Sequence, residues 1–299
     1  MKHILSAEQF SREEIDSILK SAEELDAVRD ESLKGKIIGT VFFEPSTRTR
    51  LSFESAAARL GAHTISVADA ASSSQSKGET LEDAIRVIGS YVDAIVLRQN
   101  EVGGAEKAAA VSPVPLINAG DGNQGQHPTQ GLLDLYTIQK ELGRLDNVHI
   151  AFIGNIKFYR APRSLSQLLR HYKDIHITFV TTPEMGPDET LKKYLKEHSV
   201  SFTETENLAS VLPEADVIYQ TRVAKEWFPD EAEHKKQKSK FLISNEHVSA
   251  MKDGAILMHP LPRIDEIAPE VDASPKAVYF KQAANGVSVR MALLKYVLS

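Results

Sequence analysis

Ile37-Ile38-Gly39-Thr40-Val41-Phe42-Phe43 runs directly into Glu44-Pro45-Ser46-Thr47-Arg48-Thr49-Arg50. The first seven residues form an apolar, β-branched run of strand length. The next seven carry a proline, hydroxyls and arginines, and the spacing beyond them predicts a helix over Thr49–Leu60. A strand that hands over to a helix is the repeating unit of a parallel sheet, because the chain must cross a face before the next parallel strand.

The alternation continues outward in both directions. Upstream, Ser11-Arg12-Glu13-Glu14 has capping-box spacing, with Ile15, Ile18, Leu19, Ala22 and Leu25 on one helical face. Downstream, 69–78 is small and polar and reads as a mobile loop; a helix over Glu79–Tyr91 and strands at Ala94–Leu97 and Pro115–Asn118 follow. Pro128 opens a helix to about Leu142. The pattern then restarts: strand 148–153, helix 162–172, strand 176–181, helix 188–197, strands 217–221 and 255–259, and a last helix over Asn285–Leu298. This predicts an α/β protein of two domains, each a parallel sheet flanked by helices, with helix 128–142 as the joint and a cleft between the domains.

The totals bound the function. A chain of 299 residues has room for two cores, and 42% hydrophobic with 25% charged residues is ordinary for a globular protein. A net charge of -6, with both signs interspersed, argues against a nucleic-acid partner. With no cysteine, disulfides, thiol nucleophiles and Cys-ligated zinc are excluded. No apolar signal core follows Met1, and no run of 18 apolar residues occurs, so no membrane role and a cytoplasmic location are expected.

Five segments could carry chemistry. Ser46-Thr47-Arg48-Thr49-Arg50 puts hydroxyls and guanidiniums at a helix start, where free N–H groups favour an anion. The bland alternative is a plain helix cap with two solvated arginines; a Walker loop is excluded, since its glycine-rich Lys-Ser/Thr run is missing. Gln126-His127-Pro128-Thr129-Gln130 places an imidazole just before a helix, or is merely a polar helix entry. Ser73 to Lys77 offers a cation near a glycine tip, or a solvated loop. Arg98, Arg160 and Arg222 each follow a strand-like run, where open α/β sheets bind ligands, and together suggest a substrate with several anionic groups. His259-Pro260-Leu261-Pro262-Arg263 is a rigid turn whose carbonyls could accept from an amide or amine. The single glycine of Ile153-Gly154-Asn155 gives no dinucleotide fingerprint, and no metal or cofactor is expected.

Taken in order, these segments resemble the catalytic chains of the aspartate carbamoyltransferase family over essentially the whole sequence. Phe43–Arg50 is similar to the carbamoyl-phosphate signature of transcarbamoylases. Ser73 with Lys77-Gly78-Glu79-Thr80 is similar to the family's swinging loop, and His127–Gln130, His259–Arg263 and an Asn285-Gly286 helix start match in order and spacing. Lys-Gly-Glu-Thr and His-Pro-Leu-Pro-Arg favour the aspartate over the ornithine branch.

The resemblance implies transfer of the carbamoyl group of carbamoyl phosphate to the L-aspartate amine, the committed step toward pyrimidines. It implies a carbamoyl-phosphate domain over 1–133, joined by helix 285–299, and an aspartate domain over 134–284. It assigns Ser46, Thr47, Arg48, Thr49 and Arg98 to the phosphate. Thr49, Arg98 and His127 would polarise the carbamoyl oxygen, and Gln130 with the Leu261 carbonyl, beside Pro262, would hold the carbamoyl NH2. Arg160 and Arg222 would bind the aspartate carboxylates. Ser73 and Lys77 would enter from a neighbouring subunit of a homotrimer, with separate regulatory chains a further possible partner. The sequence departs from the family pattern at Ala224, where glutamine is usual, at Trp227, where an arginine is usual, and across Phe158–Ser164. A transcarbamoylase with another amino-acid acceptor, or an inactive structural or regulatory homologue, stays open at this point.

Overall fold

The computed structural model describes every residue except 27, 70–72, 224–227 and 229, and no side chain is described at 233 or 236. Ala224 and Trp227, two of the three departures noted above, therefore lie outside the described residues. The chain forms two compact units, Met1–Tyr136 with Ala284–Ser299, and Thr137–Ala283. Among the described residues, no helix is long and apolar enough to cross a membrane.

Unit 1 opens with helix α1 (Arg12–Glu24), whose Ser11 cap and Glu14 reciprocate as the capping-box spacing predicts. Strand β1 (Ile37–Phe42), helix α2 (Thr47–Arg59), β2 (His63–Val67), α3 (Leu81–Gly89), β3 (Ala94–Gln99), α4 (Gly104–Val111) and β4 (Leu116–Asp121) follow. All pairings are parallel, in the order β2-β1-β3-β4. Helix α5 (Pro128–Leu142) carries the chain from unit 1 into unit 2. Unit 2 alternates β5 (His149–Ile153), α6 (Arg160–Leu169), β6 (His176–Val180), α7 (Glu189–Glu197), β7 (Ser201–Thr205), α8 (Leu208–Val211), β8 (Val217–Gln220), α9 (Glu231–Ser239), α10 (Asn245–Ala250) and β9 (Ile256–Met258). Its sheet is also parallel, in the order β7-β6-β5-β8-β9. Helix α11 (Tyr279–Leu298) returns the chain to unit 1.

The apolar runs read from the sequence are the sheet centres. Residues of β1, β3, β5 and β8 are almost entirely buried, as strands covered on both faces must be. Several boundaries differ from the expectation. Helix α2 begins at Thr47, so Arg48 and Thr49 stand in its first turn. Helix α3 begins at Leu81 because Thr80 caps it, accepting from the Asp83 N–H. Within the expected loop, Ser74–Lys77 is a 3-10 turn closed by left-handed Gly78. Helix α6 starts at Arg160 and ends at Leu169. Asn285-Gly286 is no helix start: it lies inside α11, which begins at Tyr279.

Candidate active site

In unit 1 three strand ends meet at Arg98. The Phe43 N–H donates to the Arg98 carbonyl at 2.8 Å, tying the end of β1 to β3. The Arg98 guanidinium donates to Glu44 Oε1 at 2.7 Å through Nη2 and to the Ala119 carbonyl, in the second half of β4, at 3.3 Å through Nη1. Ser46 caps α2 in extended conformation, but its hydroxyl makes no cap hydrogen bond. That disfavours the plain-cap reading, since a structural cap would spend the hydroxyl on a first-turn N–H. Thr49 is buried, whereas Arg48 keeps an exposed surface; partial burial lowers its guanidinium pKa. Arg50 turns instead toward Glu54, 3.7 Å away. Glu54 accepts from Thr40 of β1 and Ser66 of β2 at 3.1 and 2.7 Å, so this helix face is committed to docking α2 on the sheet.

The loop between β4 and α5 sets the imidazole. Asp121 accepts the Gln126 N–H at 2.7 Å, and its own N–H donates to the Gln126 carbonyl at 3.1 Å. This closes the turn that delivers His127, 5% exposed, to the head of α5, with Nδ1 3.4 Å from the Thr129 hydroxyl. Gln130 lies one position further along the same turn and donates from Nε2 to Asp134 at 2.9 Å. Ser73 caps the 3-10 turn, and Lys77 is exposed at its last position.

Unit 2 builds a second cationic site in the same way. Gly154, just past β5, has φ 99°, and a Cβ there would stand 2.9 Å from the Thr221 carbonyl. That close approach lets the Thr221 hydroxyl donate to the carbonyls of Ile153 and Asn155, at 2.8 and 3.1 Å, stitching the ends of β5 and β8. Arg160 then starts α6 and Arg222 follows β8. Arg222 Nε donates to the Tyr159 hydroxyl at 2.9 Å, so the residue just before Arg160 orients Arg222. Arg163, also in α6, is paired with Asp188, the cap of α7.

The rigid turn after β9 has an internal brace. Leu261 has φ 55° and precedes a cis peptide to Pro262. Its N–H donates to His259 Nδ1 at 2.8 Å, and His259 Nε2 donates to Glu266 Oε1 at 2.7 Å, with both side chains buried. The Leu261 N–H needs a lone pair on Nδ1, so the imidazole is neutral with its proton on Nε2. Burial is the largest single influence and opposes the Glu266 charge, but the hydrogen bonds from His259 and the Ile264 N–H are among effects that together outweigh it and hold the carboxyl well below its ordinary value. Arg263 pairs with Asp272, leaving the Leu261 carbonyl and Pro262 as the turn's open features.

Glu44, Tyr159, Asp134 and Glu266 are absent from the residues assigned from the sequence. Asp134 was signalled by its four-residue spacing from Gln130 on a helix; Tyr159 carried no signal, because its partner lies 63 residues away. A polar cavity of about 600 Å³ in unit 2 lies at the opposite, amino-terminal edge of the sheet, near His149, His176 and Asp216. Asp216 there takes Lys252 at 2.6 Å and Arg144 at 3.1 Å, so its charges are largely spent on one another. Among the described residues, no three His, Asp or Glu side chains gather as a metal site requires.

Comparison with known proteins converges on one family. Residues 2–140 match the family model described as aspartate/ornithine carbamoyltransferase, carbamoyl-P binding domain, and residues 146–297 match its Asp/Orn binding domain. The aspartate carbamoyltransferase catalytic subunit of Methanocella arvoryzae is 49% identical over 99% of this chain and 97% of its own length. Aspartate carbamoyltransferase 3, chloroplastic, of Pisum sativum is 45% identical over 99% of this chain and 77% of its own. Among solved structures, the catalytic subunit of M. jannaschii aspartate transcarbamoylase superposes with a TM-score of 0.93 at 46% identity, covering 100% of this chain and 98% of that one. Aspartate transcarbamoylase from Trypanosoma cruzi in complex with carbamoyl phosphate and aspartate gives 0.92 at 37% identity, covering 100% and 97%.

Proposed function

The chain belongs to the aspartate/ornithine carbamoyltransferase family, and from that premise we propose that it transfers the carbamoyl group of carbamoyl phosphate to the α-amine of L-aspartate. The aspartate amine attacks the carbonyl carbon, the bond from that carbon to the phosphate oxygen breaks, and N-carbamoyl-L-aspartate and phosphate leave. The departing phosphate takes the amine proton, so no protein base is assigned. In this reading the step is the one that commits aspartate to pyrimidine synthesis.

The observation that supports this most is the first turn of α2, where Arg48 and Thr49 stand with an uncapped Ser46 next to the strand end carrying Arg98. Ser46, Thr47, Arg48, Thr49 and Arg98 take the phosphate. Thr49, Arg98 and His127 face the carbonyl oxygen as negative charge develops there, each such donor contributing about 3–4 kcal/mol. Gln130 and the Leu261 carbonyl take the carbamoyl NH2. Arg160 and Arg222 take the two aspartate carboxylates, a use supported by the bond that orients Arg222. Carbamoyl phosphate already carries its leaving group, so the work left to the protein is holding two mutually repelling anions in register, worth up to roughly 7–11 kcal/mol.

The reading extends to a cytoplasmic homotrimer in which Ser73 and Lys77 serve a neighbouring subunit's site. The words "catalytic subunit" in the names of archaeal relatives support a place among further, regulatory chains. Mixing inactive Lys77→Ala with inactive Arg48→Ala protein is expected to restore activity after subunit exchange; no recovery contradicts a shared site. A rate panel of carbamoyl phosphate with aspartate, ornithine and glutamate tests the acceptor. Aspartate is expected to react fastest; faster reaction with ornithine, or no turnover with any amine, overturns the proposal.

A further inference from the structure

Behind Gln130 lies a set of buried polar groups that the reaction itself does not use. Gln130 is 9% exposed and donates from Nε2 to Asp134 Oδ1, one helical turn along α5, at 2.9 Å. A carboxylate only accepts, so the edge of the amide that meets Asp134 is the NH2, and the carbonyl oxygen Oε1 is directed away from it. Asp134 is fully buried, where an uncompensated carboxylate would be strongly disfavoured.

A buried cation of α11 acts on that charge. Arg290 is 3% exposed and interrupts an otherwise apolar run, Val289 to Leu294. Its guanidinium lies 5.1 Å over the ring of Phe53, in α2, the helix that begins with the anion cradle. It occupies the space over Gly286, where a Cβ would fall 2.3 Å from Nη1. This accounts for the glycine one turn before it, inside the helix. Burial lowers Arg290 to about 9; the charge of Asp134 opposes that shift, and the charge of Arg98 adds to it. The Arg290 charge thus acts both on the phosphate-binding arginine and on the carboxylate that holds Gln130.

We propose that Asp134 is a positioning residue that locks the Gln130 amide with its carbonyl oxygen presented as acceptor for the substrate NH2. The inference rests on the reading that Gln130 takes the carbamoyl NH2. An asparagine at 134 could meet the amide with either its oxygen or its nitrogen. Gln130 would then turn its own NH2 toward the substrate NH2 for part of the time, two donors facing one another. Inorganic phosphate has no NH2, so its binding does not depend on which way Gln130 points.

The test is the ratio of the carbamoyl phosphate KM to the inhibition constant of inorganic phosphate, measured on the full chain with saturating aspartate. Asp134→Asn is expected to raise the ratio about tenfold, the loss of one hydrogen bond of about 1.4 kcal/mol. Arg290→Met is expected to move it in the same direction, and Arg290→Lys to return it to within about threefold of the parent protein. The Arg290 pair reads the same ratio if Asp134→Asn does not fold. If Gln130→Ala raises the ratio while Asp134→Asn and Arg290→Met leave it unchanged, or move both constants together as a merely structural lesion would, the positioning role is overturned. If Gln130→Ala itself leaves the ratio unchanged, the assignment of Gln130 to the carbamoyl group fails, and the inference with it.

Discussion

In unit 1 the chain leaves β1 toward β2 and then returns to place β3 on the other side; in unit 2 it leaves β5 toward β6 and β7 and returns with β8. Each reversal is a switch point, where the helices after adjacent strands diverge and open a place for a ligand. Both units put one arginine in the first turn of the helix after the first strand, Arg48 and Arg160, and one at the end of the strand across the switch, Arg98 and Arg222. The partners differ. Arg98 is fixed by a carboxylate, Glu44, while Arg222 is oriented by a phenol, Tyr159. A carboxylate cancels charge as it orients; a phenol orients without cancelling. On the proposed reading, the same architecture serves a phosphate in unit 1, amid helix-start donors and hydroxyls, and two carboxylates in unit 2.

The sharpest way to break that comparison is Arg48→Ala, which is expected to lower turnover by about 10²–10³, beyond any change in melting temperature. Near-normal rates would remove the first-turn arginine of unit 1 from the comparison. Next in size, Arg222→Ala is expected to raise the aspartate KM about 30- to 100-fold, as loss of a charged contact of roughly 2–3 kcal/mol requires. Equal losses for both substrates would mean that the two pairs do not divide the work. Tyr159→Phe probes the phenol alone: a rise of about fivefold in aspartate KM is expected from about 1 kcal/mol of lost orientation, with carbamoyl phosphate unaffected. An unchanged aspartate KM would show that the phenol orients nothing of consequence.

The smallest effect concerns the brace under Leu261. Glu266 has a lowered pKa in the folded chain, so it releases its proton more readily folded than unfolded. Its stabilisation is present above the unfolded carboxylate value of about 4.3 and is lost as pH falls through the lowered folded value. The parent protein is thus expected to melt a few degrees above Glu266→Gln near neutrality, with the gap closing in acid. A gap independent of pH would show that the His259–Glu266 bond is not what stabilises this turn.

The sheets were legible where both faces are buried and illegible where they are not. β1, β3, β5 and β8 are continuous apolar runs. The edge strands β2, His-Thr-Ile-Ser-Val, and β7, Ser-Phe-Thr-Glu-Thr, are largely exposed and polar, and no apolar run marks them. Helix α9 escaped for the same reason: Glu231–Ser239 contains one small apolar residue, Ala232. In the candidate site, Ser46 to Arg50 and His127 to Gln130 stand out in the sequence because each set is contiguous at a helix start. Their supports do not, because Arg290 meets Phe53 and Arg222 meets Tyr159 only after folding closes hundreds or tens of intervening residues. The charge of Arg290 within an apolar helix face and the four-residue spacing of Gln130 and Asp134 were the visible traces.

Carbamoyl phosphate binding measured by calorimetry on Arg48→Ala and Arg222→Ala bears most directly on the division of labour between the two arginine pairs. The account predicts that Arg222→Ala binds within about threefold of the parent protein while Arg48→Ala weakens binding at least about 30-fold, a loss of roughly 2 kcal/mol. Equal weakening in both variants, or full binding by Arg48→Ala, would contradict it.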